Sequence, residues 1–310
     1  IVARAATLCT FDSCNVSGLI KMKSYSSADI GGICGYGLNR PQISDCINRT
    51  IIDIPFGYNT KPDTTCGIGG IVGQVKTKGN VLRCINYGNV TGPREIGGIV
   101  GSAQACTIKY NNNIGHITGY ETNIGGIAGE GGSCAIAYNC NAGSITVPTN
   151  KLTAESNTKY IGGIVGTYAA SVTQTQLYPV ANNLNTGMVS GWNNVGGIGG
   201  ELDGYIYNNM NGGTITDGGF SGCTSGSLAA GYRATDIGMD RDINLFYDKQ
   251  ISPHSDPLDG QVMKVDLKTP LIYRLYTYQT TGDSLKSRMN QGVGSLEGGQ
   301  PLRDTIPHWF

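Results

Sequence analysis

Apolar positions from the start of the chain to Gly231 stand singly or in short runs of at most five, many of them β-branched and bounded by Gly or Asn. None extends into the i, i+3, i+4, i+7 spacing of a helix, so the pattern predicts many short strands and excludes helical repeats. Six runs share the form Gly-Gly-Ile-x-Gly and begin at Gly31, Gly69, Gly97, Gly125, Gly162 and Gly196. The shortest interval, from Gly69 to Gly97 and again from Gly97 to Gly125, defines a base unit, and insertions into that unit account for the others. After each run stands a second block, clearest in Cys84-Ile85-Asn86-Tyr87-Gly88-Asn89-Val90-Thr91-Gly92. Its register puts Asn48, Asn86, Asn113, Asn141, Asn185 and Asn211 at one position. Two residues earlier stand Cys46, Cys84, Asn111, Asn139, Asn183 and Asn209; four residues later, Ile52, Val90, Ile117, Ile145, Val189 and Ile215.

Repeats of this length belong to solenoids, propellers or arrays. A propeller blade needs about 40 residues and four longer strands, whereas a shorter unit suits one coil of a β-solenoid. The expected fold is therefore all-β: a parallel β-helix-like solenoid of about six to eight coils, with equivalent residues stacked about 4.8 Å apart. In that geometry the six Asn form an interior ladder, each amide bonding the one above and below. The Gly pairs allow tight corners or close backbone approach. Residues 1–30 and 218–231 resemble degenerate end coils, and open ends expose strand edges that must be capped or paired.

Composition divides the chain. Glycine fills 41 of positions 1–231 but only 7 of positions 232–310, and all ten cysteines lie at or before Cys223, so a boundary is expected near Gly231. Residues 232–310 then form a β-rich cap over the last coil or a tail that docks on the next subunit. Tyr273, Tyr276, Tyr278, Trp309 and Phe310 are its candidate assembly contacts. Twenty-two basic residues balance 22 acidic ones, without the basic excess of a nucleic-acid binder. No apolar run approaches the ~18–20 residues of a membrane span. Ile1, with no Met and no leader pattern, reads as a processed end or a boundary of the chain.

The Gly-Gly-Ile-x-Gly block followed by Asn/Cys-x-Asn-x-Gly-x-Ile/Val-Thr-Gly resembles the GLUG motif of large bacterial surface proteins, among them adhesin-like proteins and the non-catalytic regions of immunoglobulin A-cleaving metallopeptidases. The likeness covers roughly residues 20–231, and Ile243–Gln250 looks like what often follows such repeats. It implies a secreted or surface-attached β-solenoid and no reaction. The chain departs from the family pattern in its ten cysteines and its long insertions.

An even number of cysteines and a surface-protein likeness lead to the expectation of disulfides. Cys84 with Cys106 and Cys134 with Cys140 are candidate hairpin-like staples, and Cys46 with Cys84 a vertical bridge between coils. No Cys-x-x-Cys pair accompanies the three histidines, so neither a metal nor a cofactor is expected. His-x-x-x-His is absent, as are a Gly-x-Ser-x-Gly elbow and a phosphate loop, and the chain is read as non-enzymatic. His116 falls at a solvent-side repeat position. The insertions at 53–66 and 147–160 leave the rod at one corner, three coils apart, with Phe56, Tyr58 and Tyr160 as candidate ligand contacts; a third spans 168–180. The sequence thus predicts an extracellular or cell-surface structural rod that self-associates end to end into a filament, stalk or surface layer. The alternatives are an adhesin module binding glycan or host protein through its insertions, and a spacer from a larger surface peptidase.

Overall fold

The computed structural model describes residues 2–22, 28–54, 67–148, 159–169, 178–192, 194–203, 205–207, 209–216, 225–226, 229–233, 242–243, 245–248 and 262–265. Among them there is no helix: the chain is all-β, and every strand pairing is parallel and joins one coil to the next. One coil serves as the pattern for the rest. Ile68–Gly69 is followed by a two-residue turn and Val72–Lys76, then by Asn80–Leu82, Ile85–Asn86 and Val90–Gly92. Each of these strands pairs with its counterpart in the following coil, so that Val72 faces Val100, Val81 faces Ile108, Asn86 faces Asn113 and Ile68 faces Ile96.

Stacking produces four sheets. The first (Val72–Lys76 and its equivalents) and the second (Asn80–Leu82 and its equivalents) have eight strands each, and the fourth (Ile68–Gly69 and its equivalents) has seven. The third sheet has two arms, one through Ile85–Asn86 and one through Val90–Gly92, which merge in the single strand Ile47–Asp53. Pairing of the same parallel kind continues past Gly231, through Asp242–Ile243, Leu245–Asp248 and Val262–Val265.

The cross-section has two apolar lobes. Ile33, Ile71, Ile99, Ile127, Ile164 and Ile198 of the Gly-Gly-Ile block fill the larger one together with inward residues of the first two sheets. Ile52, Val90, Ile117, Ile145, Val189 and Ile215 fill the smaller one against Ile68, Ile96, Ile124 and Ile161 of the fourth sheet. Each fully buried Ile or Val contributes roughly 1.5–3 kcal/mol relative to exposure.

The Asn ladder occupies the waist between the lobes. All six residues are fully buried. Nδ2 of Asn48, Asn86, Asn113, Asn141 and Asn185 donates to Oδ1 of the next Asn at 2.8–2.9 Å, and also to the carbonyl two residues ahead in its own coil. The second Gly of the motif leaves room for it: a Cβ on Gly98 would stand 2.2 Å from Cγ of Asn113. Gly-Gly and Asn are thus two halves of one contact, separated in sequence and joined by the coil.

Candidate functional site

Two columns of the rod carry chemistry: a polar seam along one corner, and the stacked cysteines. The seam begins with the residue that enters the fourth sheet. In successive coils this is Asp29, Gly67, Glu95, Asn123, Tyr160 and Asn194. Four of the six are non-Gly residues in the left-handed region, Glu95 at φ 48°, Asn123 at 59°, Tyr160 at 64° and Asn194 at 51°, because the chain must turn sharply here to enter a two-residue strand.

The first sheet passes close behind this corner on glycine. A Cβ on Gly73 would meet the carbonyl carbon of Asp29 at 2.8 Å, one on Gly129 that of Glu95 at 2.5 Å, and one on Gly200 that of Tyr160 at 2.4 Å. At the second of these approaches Glu130, the residue after Gly129, lies close enough to Glu95 for their charges to interact.

Glu95 and Glu130 are the unusual pair. Glu95 is 6% exposed, and its Oε2 is buried without a hydrogen-bond partner. Burial, then the nearby Glu130 and Asp29 charges, push its carboxyl up to about 7 against the weaker pull of Arg94 and Lys76. Burial also raises Glu130, partly offset by a hydrogen bond from Asn123 and by Lys76. Asp29 is raised by burial as well, although its Oδ1 accepts the Gly67 N–H at 3.0 Å.

Over this corner two short connections lie between two long ones. Residues 93–95 and 120–123 make it in a few residues and are tied by Arg94 to Glu121, with a charged N–O distance of 2.7 Å between half-buried groups. The coil before and the coil after carry the insertions at 53–66 and 147–160. Three coils at about 4.8 Å place the roots of the two insertions roughly 14 Å apart, on either side of Glu95, Tyr120 and Asn123. Tyr160 stands at the return of the second insertion, half-buried. Phe56 and Tyr58 lie outside the described residues, as do Tyr273, Tyr276, Tyr278, Trp309 and Phe310. The sequence singled out the insertions and Tyr160 but not Glu95 or Glu130. Their only linear signal was a charged residue standing before Ile-Gly-Gly and another directly after the motif's last Gly.

The eight described cysteines are free thiols. The hairpin-like pairings Cys84–Cys106 and Cys134–Cys140 are not made, because those residues fall in different columns of the coil. The Cys84 thiol points to the Ile43 and Leu82 carbonyls, while Cys106 faces Cys134 at 3.2 Å between sulfurs. Cys140 lies opposite Asn112 and Leu184, and burial pushes its thiol up to about 12.

Cys14, Cys46 and Cys84 form a column that Asn111, Asn139, Asn183 and Asn209 continue. Cys84 Sγ leans on Ile43 O where Asn111, Asn139, Asn183 and Asn209 send Nδ2 to Val81, Ile108, Ile136 and Val180 O, so the thiol stands in as a weaker donor to the coil before. The Cys84 hydrogen bond draws the Cys46 thiol down to about 7, while Cys84 itself is raised.

The outer faces carry shorter ladders. Arg83 makes a double hydrogen bond to Asp45 of the preceding coil, which holds the Asp45 carboxyl below its usual range. Tyr110 stacks on Tyr138 with ring centroids 5.1 Å apart, and Arg49 lies over Tyr87. His116 is exposed and meets Ser144 Oγ at 2.7 Å. No group of three or more His, Cys, Asp or Glu among the described residues is arranged to hold a metal. Among the same residues no helix is long and apolar enough to cross a membrane. No protein-family model, curated protein or solved structure matches the chain.

Proposed function

We propose that the chain is a non-enzymatic, extracellular structural rod that associates end to end. The observation that carries this reading is the first coil. Val2–Ala5, Thr10–Asp12, Asn15–Lys21 and Ile30–Gly31 each have a strand neighbour on one side only among the described residues, leaving a row of backbone N–H and C=O groups on the other. Behind that edge the lobes end in half-buried Phe11, Val16, Ile20 and Met22, and Leu8 and Leu19 are 68% and 63% exposed. Apolar side chains beside unpaired strand edges form a template for parallel strands of another copy, with residues 232–310 as a candidate connector. The likeness to GLUG-repeat surface proteins supports the extracellular setting.

Electron microscopy and sedimentation of the full chain, beside a Val16→Lys/Ile20→Lys variant and a chain ending at Gly231, test the proposal. Filaments or end-to-end dimers from the full chain and single rods from the Lys variant are expected. Single rods from all three at every concentration overturn it. Assembly lost on truncation at Gly231 assigns the connecting role to the C-terminal segment.

A second reading, adhesion to a glycan or protein, is favoured by one observation: two long insertions rooted on either side of the Glu95–Asn123 corner. Saturable binding to a glycan or host-protein panel, lost on deleting residues 149–158, is the result it requires.

A further inference from the structure

We infer that Cys106 and Cys134 are joined by a disulfide that straps one coil to the next when the chain folds under oxidising conditions. The two residues occupy the same position in successive coils, just before Thr107–Lys109 and Ala135–Ala137, which pair Thr107 with Ala135. The Ala135 N–H donates to Cys106 O at 3.0 Å, so sheet hydrogen bonding fixes the two backbones relative to each other. Neighbouring strands of a sheet stand about 4.7–4.9 Å apart. That spacing lies inside the window of about 4.4–6.8 Å between Cα atoms that a disulfide spans.

Both side chains turn inward and toward each other: the sulfurs are 3.2 Å apart, and Cys106 and Cys134 are 3% and 0% exposed. Packing around the pair is tight. Tyr168, fully buried, donates its hydroxyl to Cys134 O at 3.0 Å. A bond here therefore needs the sulfurs to approach by little more than an ångström with the backbone held. The Cys14–Cys46–Cys84 column offers its central thiol two possible partners, one coil up and one coil down. Cys106 has one: the matching residue of the coil before is Gly79, whereas the coil after supplies Cys134. Among the described cysteines the pairing is accordingly unique.

Closure is ordinary thiol–disulfide exchange with a small-molecule disulfide such as oxidised glutathione. One cysteine, as thiolate, attacks a glutathione sulfur, forming a mixed disulfide and releasing one glutathione thiolate. The second cysteine, having lost its proton, attacks the first cysteine's sulfur and releases the other. Two electrons pass to glutathione, two protons leave the cysteines, and one S–S bond replaces another. Because the folded pair is buried, exchange takes place while the coils are still docking, and the closed bond is then shielded from reductants.

The test uses the full chain refolded from reduced, denatured protein in a glutathione redox buffer. It is alkylated after acid quenching and mapped by mass spectrometry without reduction. The expected result is a linked pair of peptides carrying Cys106 and Cys134, absent from the Cys106→Ser/Cys134→Ser variant. A Tm lower by on the order of 5–10 °C is expected for the parent chain refolded under reducing conditions than for the same chain refolded oxidised, with no such difference in that variant. Alkylated Cys106 and Cys134 in the oxidised, folded protein overturn the inference, as does a bond from either to Cys84 or Cys140. If the double variant fails to fold, Cys106→Ala alone decides: it must leave Cys134 free rather than paired elsewhere.

Discussion

A carboxyl group buried beside another carboxyl makes stability depend on pH in a definite direction. Glu95 is held at about 7, against an ordinary value of 4.5, by burial and by Glu130 and Asp29. In the fold its ionised form costs free energy that the unfolded chain does not incur. Its contribution is therefore intact below about pH 4.5 and is lost as the pH rises through 7, by about 3 kcal/mol once ionisation is complete. Glu95→Gln keeps the shape and removes the charge. Urea unfolding should find it close to the parent at pH 4.5 and more stable at pH 8.5, by up to about 3 kcal/mol. Equal differences at the two pH values would mean that Glu95 is not a titrating group in the fold. Burial raises the Glu130 and Asp29 carboxyls as well, so they add to the parent's loss of stability with rising pH in the same direction.

At the scale of the strand, two kinds of glycine can be told apart. A Cβ on Gly126 would lie 2.0 Å from Gly163 O and 2.4 Å from Asn141 Cγ, both fixed groups, whereas one on Gly132 meets nothing closer than 3.8 Å. Gly126→Ala should therefore cost about 4 kcal/mol or more, by opening the contact between coils at the Asn ladder. Gly132→Ala should be neutral or stabilising by up to about 1 kcal/mol, since Ala loses less backbone entropy in a strand. Chemical denaturation of the two variants checks the contrast, and a similar loss in both would refute the steric account. The first glycine belongs to the periodic motif and the second does not, which is why the fold was legible in the sequence. Period, strand type and the interior place of Asn48 through Asn211 all follow from one residue type recurring at one spacing. The two-lobed cross-section was not legible, because nothing linear says that Ile71 and Ile68 face different cores. The approach of Cys134 to Cys106 was hidden for a related reason: Cys134 is close to Cys140 in sequence but touches Cys106 of the preceding coil, as stacking favours the coil period over local distance. Glu95 and Glu130 meet only because Gly129 lets two strands touch.

Across the whole molecule, stability is set by coils that meet only their neighbours. Such a rod is a chain of nearest-neighbour contacts, so its coils need not open together. The coil holding Val100 is paired on both sides, to Val72 and to Ala128, whereas Val2–Lys21 is paired on one side and is largely exposed. Hydrogen exchange of the monomeric rod should show slow amides in 68–76, 96–103 and 124–128 and fast ones in 2–21, a gradient along the axis rather than a contrast between surface and core. Gly126→Ala sharpens the test, because it weakens one junction. Amides in 126–128, which donate to Gly162 O and Ile164 O across that junction, should lose protection while those in 68–76 and 161–165 keep theirs, because Ile71 and Val72 donate to Ile99 O and Ile164 and Val165 donate to Ile198 O. Uniform loss along the rod would mean one cooperative unit. In that case end-to-end contact would stabilise every coil at once, and the edge at Val2–Lys21 would control the stability of the rod as well as its assembly.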